Sequence, residues 1–310
     1  MENEPVSDRS MPVDLTKEFV LTKADFFASI GIWPLKCDLN PELWLQNFTQ
    51  SELNHALYLL NSFMYFNDTL VHEIFAAAVR TISRLMWQPN DNPTTLAQKW
   101  EEFVHTAIVT YVTGENPNPT DSGYTFAQKA RAIGITEDRI VTPEKALRIL
   151  QSGSEAPIIF VDDFVGSGSQ FLTTWRRQYG SAGKTFEELA PITSNEMYLC
   201  TAFCTECGLK YIQSECPRIR VNPGHLLSSN YSALAEDSII WPSALKSTAV
   251  EFIRSASERA GIPDTGGQVD DWRGFACLGL TIARQGSIPD ATLPIFYWQK
   301  NGWQPLIRKT

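Results

Sequence analysis

The possible folds of this 310-residue chain narrow at one short stretch, Pro157-Ile158-Ile159-Phe160-Val161-Asp162-Asp163-Phe164-Val165-Gly166-Ser167-Gly168-Ser169-Gln170. The four apolar residues from Ile158 to Val161 read as a strand buried on both faces, the kind found in parallel sheets. Such sheets take ligands at the carboxyl ends of their strands. Here the apolar run meets two adjacent carboxylates, and Gly166-Ser167-Gly168-Ser169 follows before a helical pattern opens. A glycine-rich loop at a helix start can aim several N–H groups at one phosphate, helped by the positive end of the helix. Carboxylates a few residues away can accept hydrogen bonds from vicinal hydroxyls. The pattern suits a phosphorylated sugar. The alternative is that Asp162-Asp163 caps a turn which the glycines merely shape, and the strand before and helix after favour the ligand reading.

The surrounding chain supports a sheet protein. From about residue 100 short apolar runs alternate with turn clusters and helical patterns, which predicts an α/β fold. Candidate strands are Thr106 to Val112, Ile158 to Val161, Met197 to Phe203, Ile219 to Val221, Gly274 to Ala283 and Pro294 to Trp298. Candidate helices are Gly123 to Ile133, Pro143 to Gln151, Gln170 to Tyr179, Glu206 to Ser214 and Ser243 to Ala260. Before residue 100 the apolar residues recur at three and four: Leu53, Ala56, Leu57, Leu60, Phe63 and Met64, then Leu70, Ile74, Phe75, Val79, Ile82 and Met86. These predict two amphipathic helices parted near Asn67-Asp68, with Asp68 capping the second. The expected organisation is a helical N-terminal region over 1–100 and an α/β domain over 101–310.

Charge and composition exclude other classes. The chain is 43% hydrophobic, which is incompatible with disorder, and its net charge is -9. Non-specific nucleic-acid binding needs clustered Lys and Arg, so it is disfavoured. The first 100 residues carry 12 acidic and 7 basic side chains, which concentrates the acidity at the front. Met1 to Ser10 lacks the basic start and apolar run of a secretion signal, and the most apolar segment, Thr69 to Trp87, is broken by Glu73, Arg80 and Arg84. A cytoplasmic protein with no membrane partner is expected, and its six cysteines are expected to be reduced thiols.

The stretch from Phe160 to Ser169 resembles the signature of the type I phosphoribosyltransferases, whose strand, acid pair and small-residue loop bind 5-phosphoribosyl 1-diphosphate. The resemblance implies that fold: a parallel sheet flanked by helices, here with the N-terminal helical region in front. It also places Asp162 and Asp163 on the ribose 2- and 3-hydroxyls, as the catalytic acids, and Gly166, Ser167, Gly168, Ser169 and Gln170 around the 5-phosphate. Gln170 stands where that family commonly has Thr, and its amide can still donate to phosphate. More of the chain is similar to one subgroup, the phosphoribosyltransferase-like effectors of bacterial anti-phage operons, including those beside retron reverse transcriptases. The residues that carry this likeness are Trp44 to Phe48, Asp121 to Tyr124, Pro289 to Ile295 and Gly302 to Leu306.

The resemblance implies displacement of pyrophosphate from ribose C1, with Mg²⁺ as cofactor, held mainly by the ligand and water. Asp121-Ser122-Gly123, after the first strand, occupies the position of a pyrophosphate loop, although an Asp cap on a turn accounts for it nearly as well. Lys129 and Arg131 could counter phosphate charge or simply face solvent. Asp290 and Thr292 are further candidates near the site. The long basic loop common over that family's site has no counterpart between Gly123 and Pro157, where only helical patterns occur. The partners implied are a phosphorylated ribose ligand, a reverse transcriptase with its RNA–DNA product, and a second copy of the chain.

Other signals are set aside. Cys200, Cys204, Cys207 and Cys216 contain a single C-x-x-C, whereas zinc sites usually pair two. The four histidines show no ligand spacing, and the tryptophans lack the interleaved basic residues of a base-stacking surface. The expected function is a Mg²⁺-dependent, phosphoribosyl-binding transferase acting as a defence effector. The alternatives are a ligand-sensing or assembly subunit without turnover, and a nucleotide-salvage phosphoribosyltransferase.

Overall fold

The computed structural model describes residues 15–114, 122–180 and 183–309. The chain forms two compact units, one taking the chain up to Asn67 together with everything from Asn230 onward, the other Asp68–Ser229. The boundary expected at residue 100 falls inside a helix of the second unit, because the helices that precede the first sheet strand pack with that sheet.

In the first unit the chain begins with α1 (Lys17–Ser29), α2 (Pro41–Leu45), α3 (Leu53–Asn61) and a short strand β1 (Met64–Phe66). The second unit follows as α4 (Asp68–Arg80), α5 (Ile82–Leu85), α6 (Pro93–Thr106), β2 (Ile108–Tyr111), α7 (Ser122–Lys129), α8 (Pro143–Gln151), β3 (Ile158–Val165), α9 (Ser169–Arg176), α10 (Phe186–Leu189), β4 (Met197–Thr205), α11 (Glu206–Glu215) and β5 (Ile219–Leu227). The chain then returns to the first unit with α12 (Ser243–Ala260) and β6 (Ile282–Arg284).

The second unit is built on a four-stranded parallel sheet, order β2-β3-β4-β5. Both of its faces are covered. Ile158 and Phe160 join a buried cluster with Leu147 of α8, Phe171 of α9, Phe186 of α10 and Ile212 of α11. Successive strand residues point to opposite faces. Ile159 and Val161 therefore meet the other side, where α7 packs on β2 and β3 and α4 on β4 and β5. Double coverage explains why β3 starts with an unbroken apolar run and why every residue of β4 is buried. Burying Phe160, Phe171, Trp175 and Phe186 together adds ring contacts with centroids 4.8 to 6.0 Å apart, each worth about 0.5–1.5 kcal/mol beyond the area buried.

Several elements differ from expectation. β3 does not stop at Val161 but carries Asp162 and Asp163 within it, pairing on through Val165↔Cys204. The helix expected over residues 53–64 ends at Asn61, and Met64–Phe66 instead pairs in parallel with Ile282–Arg284 of the distant C-terminal segment. Of the strand expected from Gly274 to Ala283 only the last residues are extended, and Phe275–Cys277 is a 3-10 turn. Pro294 to Trp298 is no strand either: Pro294–Phe296 is a 3-10 turn buried on all sides in the first unit's core. In that core Trp44 stacks on Phe296 at 5.4 Å, and the indole N–H groups of Trp44 and Trp303 both donate to the Ile295 carbonyl, at 2.8 and 2.9 Å.

Candidate active site

At the carboxyl half of β3 the acid pair lies in the sheet. Asp162 is 2% exposed and Asp163 7%. Strand pairing holds Asp162 opposite Thr201 and resumes at Phe164↔Phe203. Between these, the Asp163 amide donates to Asp162 Oδ1 at 2.9 Å, and the Thr201 hydroxyl donates to the Phe203 carbonyl at 2.9 Å. Carboxylates are buried only where polar partners compensate them, and the Asp163 amide is one such partner for Asp162.

The loop after β3 is shaped by α11 as much as by its own sequence. The Gly166 carbonyl accepts a hydrogen bond from the Thr205 hydroxyl at 2.6 Å. That same hydroxyl accepts the Gly208 amide at 3.0 Å, which caps α11. A side chain at Gly208 would run into the Gly166 carbonyl, and Gly168, at φ +86°, would put a Cβ 3.0 Å from Ile212 Cγ1 and 3.1 Å from the Gly208 carbonyl. Glycine at both positions lets the loop lie directly on α11. Only glycine adopts such a φ without strain.

Gly168 gives α9 no side-chain cap. The Ser167 hydroxyl takes the Ser169 amide at 3.4 Å and lies 2.9 Å from the Ser169 hydroxyl. The next amides of the first turn have no partner within the helix, and this end of α9 carries positive partial charge. Ser169 and Gln170 are exposed there. β3 and its loop thus bring Asp162, Asp163 and Gly166 to Gln170 together over a continuous nine residues, with the carboxylates at one end and the loop and first turn of α9 at the other.

The remaining candidates are distributed differently. Asp121 lies outside the described residues, and Ser122 opens α7. Gly123 abuts the end of β2, where a Cβ would meet the Val112 carbonyl and approach Tyr111 Cβ at 3.2 Å. Its absent side chain allows α7 to pack on the sheet. Lys129 stands in the last turn of α7, about 10 Å along the axis from the first, with Nζ 5.7 Å from the Phe126 ring centre. Asp290 and Thr292 belong to the other unit. There Asp290 pairs with Lys309 at 2.7 Å, and the wholly buried Thr292 hydroxyl donates to the Ile282 carbonyl at 2.6 Å.

Sequence reasoning missed Thr205 and Gly208, which fix the loop, and also Arg177. The Arg177 guanidinium donates to Thr113 Oγ1 and to the Gly114 carbonyl, both at 2.8 Å, just past the end of β2. A signal for Thr205 existed, since Thr directly before a helix beginning at Glu206 is an N-cap pattern. Nothing local ties it to Gly166.

A sequence model of the PRTase-CE family matches residues 41–309. The chain belongs to the PRTase-CE family. That family is phosphoribosyltransferase-like, and the parallel sheet flanked by helices is the corresponding α/β fold. In this PRTase-CE protein the match spans residues of both compact units, and it includes β3, the loop and α9. None of the curated proteins matches the chain. Among the described residues of the PRTase-CE chain no helix is long and apolar enough to cross a membrane.

Proposed function

We propose that this protein binds 5-phosphoribosyl 1-diphosphate, or a related phosphoribosyl nucleotide, and transfers or processes its ribosyl group as the effector of a bacterial anti-phage defence system. The observation that carries the ligand assignment is the buried Asp162-Asp163 pair running directly into a loop held against α11 at the uncapped start of α9. In this reading the two carboxylates accept hydrogen bonds from the ribose 2- and 3-hydroxyls, and Gly166 to Gln170 surround the 5-phosphate. Fixing both ends of the sugar orients C1 toward its acceptor, and catalysis rests on that positioning and on stabilising the charge of the leaving group. The defence role is supported by the likeness of Trp44 to Phe48 and Pro289 to Ile295 to the effectors of anti-phage operons, and it makes a reverse transcriptase with its RNA–DNA product the proposed partner.

Mg²⁺ fits this donor set. Among the described residues no group of three or more His, Cys, Asp or Glu side chains could hold a metal ion. The adjacent carboxylates Asp162 and Asp163 offer hard oxygen donors, and Mg²⁺ characteristically takes one or two carboxylates while keeping water and substrate phosphates in its shell. When bound with the ligand it would neutralise charge on the departing pyrophosphate. The test is Asp162→Asn combined with Asp163→Asn in the intact chain. Loss of both pyrophosphate release and toxicity to the expressing cell, with an unchanged far-ultraviolet spectrum, is expected, whereas full toxicity of the folded double variant contradicts the assignment. Stabilisation by the ligand that grows with its concentration, without any pyrophosphate release, would mark a sensor in place of a transferase.

A further inference from the structure

At the end of the sheet opposite the acid pair, the segments leading into β2 and β3 border an open groove of about 620 Å³. Pro157 stands about 16 Å from Asp162 along β3, at the usual rise per strand residue. The floor of the groove is apolar, formed by Phe103 of α6 with Met86, Ala156 and Pro157. The Phe103 ring is held edge-on by Tyr198 and stacked by Trp100, with centroids 5.9 and 5.6 Å away. Both walls are tied down. The Asn195 side-chain amide donates to the Ser154 and Ala156 carbonyls at 2.7 and 2.8 Å, and the Ile108 amide donates to the Pro157 carbonyl at 2.8 Å. On the other side Lys99 pairs with Asp91 at 2.8 Å, and the same carboxylate accepts the Gln88 amide at 2.9 Å, which fixes the turn after Met86. A groove already held in shape loses little conformational freedom when it is filled. Leu85 and Trp87, on either side of Met86 in the chain, are exposed, and Trp is among the side chains that dominate protein–protein binding.

The charged residues lining the groove are Lys99, Glu102, Arg139 and Glu155. Its two cations are already matched, Lys99 by Asp91 and Arg139 by Asp138 at 3.9 Å, and the Arg139 guanidinium also donates to the Thr106 carbonyl at 3.2 Å. The exposed carboxylates of Glu102 and Glu155 have no hydrogen-bond or ion-pair partner among the described residues. The groove therefore combines an apolar floor with surplus negative charge. It is open to solvent, which suits a segment of chain better than a small molecule, whose sites enclose most of the ligand surface.

We infer that this groove docks a cationic peptide segment of a partner protein, with an apolar side chain entering against Met86 and Phe103 and flanking Lys or Arg residues meeting Glu102 and Glu155. A partner seated there leaves the carboxyl ends of the strands open. The assignment is independent of the phosphoribosyl reading of β3.

Fluorescence anisotropy of labelled peptides titrated with the intact protein tests it. The probes are a peptide alternating Leu with Arg, its Leu–Glu counterpart and an oligoarginine of the same length. The Leu–Arg peptide is expected to bind more tightly than either of the others. Glu102→Gln with Glu155→Gln, both at exposed positions, is expected to weaken its binding at least about threefold, as the loss of two surface ion pairs would. Met86→Ser, which removes part of the apolar floor, is expected to weaken it as well. Two exposed acids of the other unit control for general attraction to an acidic chain: Glu236→Gln with Asp237→Asn should leave binding unchanged. Asp162→Asn with Asp163→Asn should also leave it unchanged. The inference is overturned if the Leu–Arg peptide does not bind at millimolar concentration, if the oligoarginine or the Leu–Glu peptide binds equally well, if the groove variants bind as the wild type does, or if either control variant loses as much. A dimer of the free protein in sedimentation that Met86→Ser dissociates would also overturn it, because a second copy of the chain would then occupy the groove.

Discussion

Thr205 donates to the Gly166 carbonyl and accepts the Gly208 amide with one hydroxyl, so the geometry of the loop after β3 depends on a residue of another strand. Thr205→Val keeps the shape and removes both bonds. It is expected to lower stability by about 1–3 kcal/mol, the cost of leaving buried polar groups without partners, as read by urea denaturation, and to weaken binding of the phosphoribosyl ligand. Thr205→Ser should restore both. Gly168→Ala, at φ +86° and against Ile212, is expected to cost about 1–2 kcal/mol from the left-handed backbone alone. At this scale the acids and glycines were legible because strand, carboxylates and loop are contiguous. Thr205, Gly208 and Arg177 were not, because each acts on a segment far away in the chain.

Elements were legible where their ends are chemically marked. α8 and α12 occupy the spans that the sequence predicts, Pro143–Gln151 and Ser243–Ala260. Thr142 caps the first ahead of Pro143, and Gly261, at φ +68°, ends the second. Removing the cap with Thr142→Ala is expected to cost about 1 kcal/mol, measured as a shift of the urea midpoint. Short apolar runs carry no such marks. Met64–Phe66 is a strand only because β6 arrives beside it, and Pro294–Phe296 is a turn because its apolar side chains are buried all round and not on alternate faces. Periodicity alone cannot separate these cases. The length of β3 was underestimated for a different reason, since buried carboxylates such as Asp162 and Asp163 are rare inside a strand.

The molecule as a whole has its two ends in one unit and its phosphoribosyltransferase-like sheet in the other, a discontinuity that no local pattern announces. One ion pair in the end-built unit contributes to its response to acid. Burial disfavours ionisation of Asp271, but the Arg273 guanidinium and the amides of Gly267, Arg273 and Thr265 outweigh it and hold the carboxyl well below the usual carboxylate range. A lowered folded-state value means the contribution is complete above the unfolded value of about 3.9 and declines as pH falls through and below it. Asp271→Asn is therefore expected to cost about 3 kcal/mol near neutrality and to flatten the acid side of the melting-temperature profile. Thiol chemistry reports both units together: Cys37, Cys207 and Cys277 are exposed, while Cys200, Cys204 and Cys216 are buried, and burial pushes the thiols of Cys204 and Cys216 up to about 12. The native protein should react with a thiol reagent at three positions, and at the others only on unfolding. The most direct measurement concerns β3 itself: calorimetric titration of the intact protein with 5-phosphoribosyl 1-diphosphate and Mg²⁺, wild type against Asp162→Asn with Asp163→Asn. Saturable binding by the wild type and its loss in the folded double variant is the expected result, and equal binding by both would contradict a phosphoribosyl site at the acid pair.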